Sequence, residues 1–340
     1  MRRPVSWSDG TRASGGLEKW HHLANLEQFV RSGRAIWGYA GGMELKHIVV
    51  GVDFSQPSDR ALIEAGRFAA ADGAKVTAVN VLEQELLEGF GDERHAVESE
   101  LLADGPGRLG EHLAEVLGER HGFESEFVIG HPFNGVTGVV ERSGADLLMI
   151  GVDGAGGDGS ERVGAVAAKF VRAARSDVLL LRGSHRGRFK KVLACVDLSE
   201  VSGKALARAA HVAKVDGADL EILYVRRVAG ELIVKHRIMR HFSHRLPELA
   251  DDEAGHLHDE LRLKEFARPF VDEELDVRTE RKVLARPDVR SAIVDEVMES
   301  GANLVVLGTH GWGHVGSHLL GTTAEHVIRE AACSVYCVRV

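Results

Sequence analysis

The run Gly308-Thr-His-Gly311-Trp-Gly-His-Val-Gly-Ser-His-Leu-Leu-Gly321-Thr322-Thr323 sets spaced glycines and two hydroxyls between the apolar run Leu304–Leu307 and the helical pattern Ala324–Ala332. A strand, a glycine-rich loop and a helix start, in that order, make an anion cradle. Glycine lets the backbone close around a ligand, and the first amides of a helix have no intrahelical partner. Thr322 and Thr323 fall where those amides are. The spacing is Gly-x2-Gly-x9-Gly-Thr, and no Lys directly precedes the hydroxyl, so it is not the P-loop pattern and a P-loop ATPase is disfavoured. His310 could reach a phosphate or stay solvated.

Other reactive residues form weaker patterns. His236, His241, His244, His256 and His258 crowd one stretch. His256-x-His258 and His241-x2-His244 could hold Zn²⁺ or Ni²⁺, but no cysteine lies nearby and the stretch is rich in Arg, Asp and Glu. It reads better as a polar, partly helical lid. Cys195, Cys333 and Cys337 make no CxxC pair and no disulfide framework, which fits buried small hydrophobes in a reducing cytoplasm. No Ser-His-Asp ordering and no HExxH stands out, so no catalytic residue is assigned. Phosphoryl transfer needs a metal site and a positioned base or water. Asp197 is the one carboxylate that suggests itself beside the loop.

The elements that position this loop come in two copies. Lys46-His-Ile-Val-Val-Gly-Val-Asp53-Phe-Ser55 matches Lys190-Lys-Val-Leu-Ala-Cys-Val-Asp197-Leu-Ser199. Each copy continues with an amphipathic helix (58–72, 202–216) and a second strand (73–81, 217–225). Third strands follow near 125–129 and 276–283, fourth at 146–150 and 303–307, fifth at 177–182 and 334–339. The offset between copies is 144 residues at Asp53/Asp197 and 157 at Gly151/Gly308, which places an insertion in the second copy at about 226–275. The seam is 183–188. Strands alternating with helices imply βαβ units in a parallel sheet, with ligands beyond the carboxyl ends of the strands. Asp197 and Gly308 each end a strand, so both face one crevice if those strands are neighbours.

Bulk properties narrow the function classes. With 340 residues, 44% of them hydrophobic, the chain can bury two or three domain cores. A net charge of −9 with mixed signs along the chain argues against general nucleic-acid or membrane-surface binding. No apolar run approaches the roughly 18 residues of a membrane span. Residues 1–42 differ, with Trp7, Trp20 and Trp37 and six Lys/Arg against three Asp/Glu. They read as a poorly ordered extension rather than a signal peptide or a docking helix.

Over about 43–340, the Val-Asp-x-Ser openings, the Gly130-His-Pro132 step and the glycine loop resemble the universal stress protein family in its tandem two-domain form. The resemblance implies two tandem doubly wound α/β domains, 43–184 and 188–340. Each would be adenine nucleotide alpha hydrolase-like, with a five-stranded parallel sheet in the order 3-2-1-4-5. It also implies pairing through the last strand, an intramolecular pseudo-dimer or a homodimer, and ATP or another adenine nucleotide, with or without Mg²⁺. Carried onto the second copy, Asp197 would meet the adenine edge beside Val196, and Val225 would line the base pocket. Gly308, Gly311 and Gly321 would admit ribose and phosphates, with Thr309 and His310 alongside, and Thr322 and Thr323 would bind phosphate oxygens. Ala285-Arg-Pro287 departs from the Gly-x-Pro step. The first copy departs further: Ala165 stands at the hydroxyl position and Asp153, Asp158 and Glu161 sit in its loop, where a carboxylate repels phosphate. The first copy is therefore expected to bind nucleotide weakly or not at all. A cytoplasmic nucleotide-binding stress or signalling protein, a slow ATPase, and a scaffold for an unknown protein partner all stay open.

Overall fold

The computed structural model describes residues 43–152, 160–182, 187–228, 247–271, 275–310 and 320–339. The extension 1–42, Gly311, most of the first-copy loop and His236, His241 and His244 lie outside the described residues. Strands β1 (His47–Val52), β2 (Lys75–Glu83), β3 (Glu124–Gly130), β4 (Leu147–Gly151) and β5 (Asp177–Leu181) form the first half. Its helices are α1 (Gln56–Asp72), α2 (Arg94–Leu117), α3 (Pro132–Ser143) and α4 (Ser160–Ala173), with a 3-10 helix (Gln84–Glu93) ahead of α2. The second half repeats the plan with β6 (Lys191–Val196), β7 (Asp219–Arg227), β8 (Thr279–Arg286), β9 (Leu304–Gly308) and β10 (Ser334–Val338). Its helices are α5 (Glu200–Asp216), α6 (Pro247–Ala267), α7 (Val289–Ser300) and α8 (Thr322–Glu330).

All ten strands join one sheet in the order β3-β2-β1-β4-β5-β10-β9-β6-β7-β8. Counted within each half, that order is 3-2-1-4-5. Pairing is parallel throughout except at the seam, where β5 meets β10 antiparallel with Leu179 opposite Tyr336. Both sheet faces are covered, which is why strands such as β4 and β9 are apolar runs rather than alternating ones. One core lies under α1, α2, α5 and α6, and the other under α3, α4, α7 and α8.

The seam has its own polar network on the α1/α5 side. Asp216, at the end of α5, accepts from Phe189 N at 2.7 Å and pairs with Arg67 of α1. The equivalent Asp72 accepts from Leu45 N at 2.8 Å and pairs with His211 at 2.9 Å. Asp177 holds Arg208 at 3.3 Å, the Tyr336 hydroxyl at 3.3 Å and Arg339 N at 2.9 Å.

Several sequence boundaries move. Helices α1 and α5 begin at Gln56 and Glu200 because Ser55 and Ser199 cap them. Strand β8 starts at Thr279; Asp276 precedes it with φ of 50°, a left-handed backbone that a strand does not take. Helix α8 runs from Thr322 to Glu330, so both threonines lie inside its first turn.

The 226–275 stretch is not wholly an insertion or a lid. Helix α6 takes the place of α2, and its Leu263, Phe266 and Ala267 are buried in the core. Residue 75 corresponds to 219 at the second strand, an offset of 144, and 124 to 279 at the third, an offset of 155, so the surplus is the difference between those offsets. His256 and His258, two positions apart on α6, point to different sides and cannot share a metal; His256 instead pairs with Glu260 at 3.2 Å. Among the described residues no group of His, Cys, Asp and Glu is arranged for a metal. No described helix is long and apolar enough to cross a membrane.

Candidate functional site

Strands β6 and β9 are neighbours, so Asp197 and Gly308 do open onto one crevice at the carboxyl end of the second half. Its cavity is ≈ 260 Å³, near the lower end of small-molecule sites, roughly 300–1,000 Å³. Of the ten residues singled out from the sequence, nine line it: Val196, Asp197, Val225, Gly308, Thr309, His310, Gly321, Thr322 and Thr323. The tenth, Gly311, lies outside the described residues.

One end of the crevice is apolar. Val225 and Leu223 lie on the same face of β7, Leu307 is the last residue but one of β9, and Val289 with Ile293 lie one turn apart on α7. Cys195 on β6 completes that floor, and burial pushes its thiol well up. Sequence reasoning missed Cys195, Leu223, Val289, Ile293 and Leu307. Period 2 along β7 could have found Leu223, and the i, i+4 spacing of Val289 and Ile293 could have found that pair.

The other end is polar and built from backbone. Thr309 N donates to Val338 O at 3.0 Å, and Gly321 N donates to Thr309 O at 2.8 Å, so β9 and the start of α8 are tied together across the loop. The Thr309 hydroxyl and His310 Nδ1 lie 2.9 Å apart. Helices α1, α3, α5 and α7 have N-caps whose side chains accept a first-turn amide: Ser55, His131, Ser199 and Asp288. The N-cap of α8 is Gly321, which offers none. The first turn of α8, carrying the Thr322 and Thr323 hydroxyls, therefore presents donors to an anion at its positive end.

Asp197 sits between the two ends. Its Oδ1 accepts from Ser199 N at 3.0 Å, which forms the turn into α5. The carboxylate thus both shapes the turn and borders the crevice.

The first half packs differently at the same places. Gly51 stands where Cys195 stands, and a side chain there would meet Ile150 Cδ1 at 2.7 Å. Gly151 lies against the backbone of α1, where an added Cβ would come within 1.9 Å of Pro57 O. At Gly308 the nearest neighbour is instead a side chain, Val201 Cγ1 at 2.7 Å. The β4 end is thus approached by the α1 backbone itself, and the β9 end by a side chain of α5.

Comparison with known proteins agrees with the two-copy plan. The sequence profile described as the universal stress protein family matches residues 44–182 and again 188–339. A universal stress protein of Mycolicibacterium smegmatis is 26% identical over 314 residues, covering 86% of this chain and 96% of its own. Universal stress protein YxiE of Bacillus subtilis is 29% identical over 155 residues, covering 44% of this chain and 99% of its own. The crystal structure of a universal stress protein from Archaeoglobus fulgidus superposes with a TM-score of 0.53 at 19% identity, covering 86% of this chain and 98% of that one, a likeness of fold.

Proposed function

The chain belongs to the universal stress protein family, and from that premise we propose that its second half binds ATP or another adenine nucleotide in the β6/β7/β9 crevice. The role is that of a cytoplasmic nucleotide-binding regulator in a stress response or signal. What carries the reading is the meeting, in one crevice, of an apolar slot and a helix start whose N-cap is a bare glycine. In this reading Val196, Val225 and Ile293 flank the base, and Asp197 accepts from its amino edge. Gly308 and Gly321 let the sugar and phosphates approach the backbone, and Thr322 and Thr323 donate to phosphate oxygens. Asp197 is the one carboxylate among the described lining residues, so Mg²⁺ would enter on the phosphates rather than in a protein cage. Binding rather than turnover is what this residue set supports.

Titration calorimetry with ATP tests the proposal on wild type, Thr322→Ala and Val289→Trp. Removing one phosphate-directed hydroxyl should weaken binding by about tenfold, as for a hydrogen bond to a charged group. Val289→Trp fills the slot and should abolish binding. Equal binding by all three proteins, or by none, defeats the reading. Saturating ATP, at about 100 times its dissociation constant, should stabilise the wild type by about 2.7 kcal/mol in a melt.

A further inference from the structure

We propose that Arg182, a residue of the first half, is a positioning residue for the phosphate-binding start of α8 in the second half. The inference rests on the nucleotide reading of that site. Arg182 directly follows β5 and is 3% exposed. A guanidinium at that depth needs acceptors. Nη1 donates to Ala331 O at 2.6 Å and Nη2 to Ile328 O, while Arg182 N donates to Ser334 Oγ at 3.2 Å. Both carbonyls belong to the end of α8. Arg182 itself does not line the crevice.

Helix α8 needs this help because its own sequence does not close it. Helices α1, α3, α5 and α7 end on Gly73, Gly144, Gly217 and Gly301, all in the left-handed conformation that turns the chain back onto the last carbonyls. Helix α8 ends on Ala331 with φ of −65° and ψ of 131°, so its final carbonyls stay open. A cation from the other half meets them, with the sign the helix dipole favours. Nine residues are too few for a helix to hold itself. Its place is set by the buried Ala324, Val327 and Ile328 and by what grips its ends. As a rod about 13 Å long, it carries any shift at the Arg182 end to Thr322 and Thr323.

The molecule contains a control. Arg339, the equivalent residue after β10, donates to Ala174 O and to Arg172 O at the end of α4. Each half therefore grips the loop helix of the other, but only α8 carries the two threonines.

The test compares Arg182→Met, Arg182→Lys and Arg339→Met in the full chain. Calorimetry would use ATP and adenosine, and hydrogen exchange would follow the α8 amides without ligand. Arg182→Met should weaken ATP by about tenfold, in the range of mutations that act without touching ligand. Adenosine, which lacks the phosphates, should bind as before. Exchange at the start of α8 should quicken, Arg182→Lys should lie between, and Arg339→Met should bind ATP like wild type. Unchanged ATP affinity in Arg182→Met, equal weakening of ATP and adenosine, or equal weakening by Arg339→Met would overturn the proposal. If Arg182→Met fails to fold, the same comparison is read from Arg182→Lys. Absence of ATP binding by wild type sinks the nucleotide reading itself. The clamp is then judged by exchange alone, and unchanged exchange rejects it.

Discussion

Asp53 and Asp197 show how one residue type serves two masters. Each accepts the amide two positions on, at 3.0 Å, across a residue in the left-handed conformation, Phe54 at φ 62° or Leu198 at φ 63°. The Val-Asp-x-Ser signature was legible in the sequence because this turn needs it in both halves. The sequence pointed to Asp197 as the carboxylate beside a ligand crevice, but not to how the strand ends around each Asp pack. Ile150 lies over Gly51 in one half and Cys195 holds the same place in the other, a matter of packing. The buried cysteines make a prediction at this scale. Burial raises the thiols of Cys195 and Cys337 and pushes Cys333 up to about 12. All three stay protonated and poorly nucleophilic at neutral pH. Iodoacetamide should leave the folded chain unlabelled and add three labels once it is denatured, as mass spectrometry would show. Native labelling of Cys195 would mean that the crevice floor is more open than its burial allows.

Helix ends, at the scale of elements, were legible where a side chain marks them and not where backbone does. Ser199 and Gly217 bracket α5 in plain sequence. The start of α7 was less clear, because Ala285-Arg-Pro287 suggested only a disturbed turn. Asp288 then takes the cap, accepting from Arg290 N at 3.2 Å and from the Ser291 hydroxyl at 2.8 Å. The Ser291 and Arg290 hydrogen bonds hold its carboxyl down at about 2. The unfolded chain therefore binds the proton first as pH falls, and the cap's stabilisation is complete above the ordinary Asp value, about 4. It is lost as pH drops toward 2. Asp288→Ala should lower the melting temperature at neutral pH, and the gap from wild type should close between about pH 4 and pH 2. A gap that persists in acid would mean that the carboxylate is not the source. Because Val289 beside this cap lines the crevice, the variant should also loosen ATP.

The whole molecule joins two copies of one fold in a single sheet at β5 and β10, and that seam bears on what a half would do alone. The two copies could be read from matching strands and loops, but not the pairs that cross between them. Arg67–Asp216 and His211–Asp72 join equivalent positions of opposite halves, and nothing in a one-dimensional repeat says which copy a side chain reaches. Cut from the first half, residues 188–340 would expose β10, whose Val335, Tyr336 and Cys337 are fully buried against β5. An apolar strand edge of that kind is a template for another strand. A second copy of the same fragment fits it by the pseudo-twofold. β10 would pair with β10 as β5 now pairs with β10, His211 would face Asp216 as it now faces Asp72, and Arg339 would grip the end of α8 as Arg182 does. The fragment should therefore elute as a dimer in light scattering and keep its ATP affinity within a few fold, since the clamp on α8 is rebuilt between copies. Tyr336→Glu, which buries a charge in that strand, should break the dimer and the affinity together. A fragment that is monomeric, folded and fully competent for ATP would show that the seam holds the halves together without serving the site.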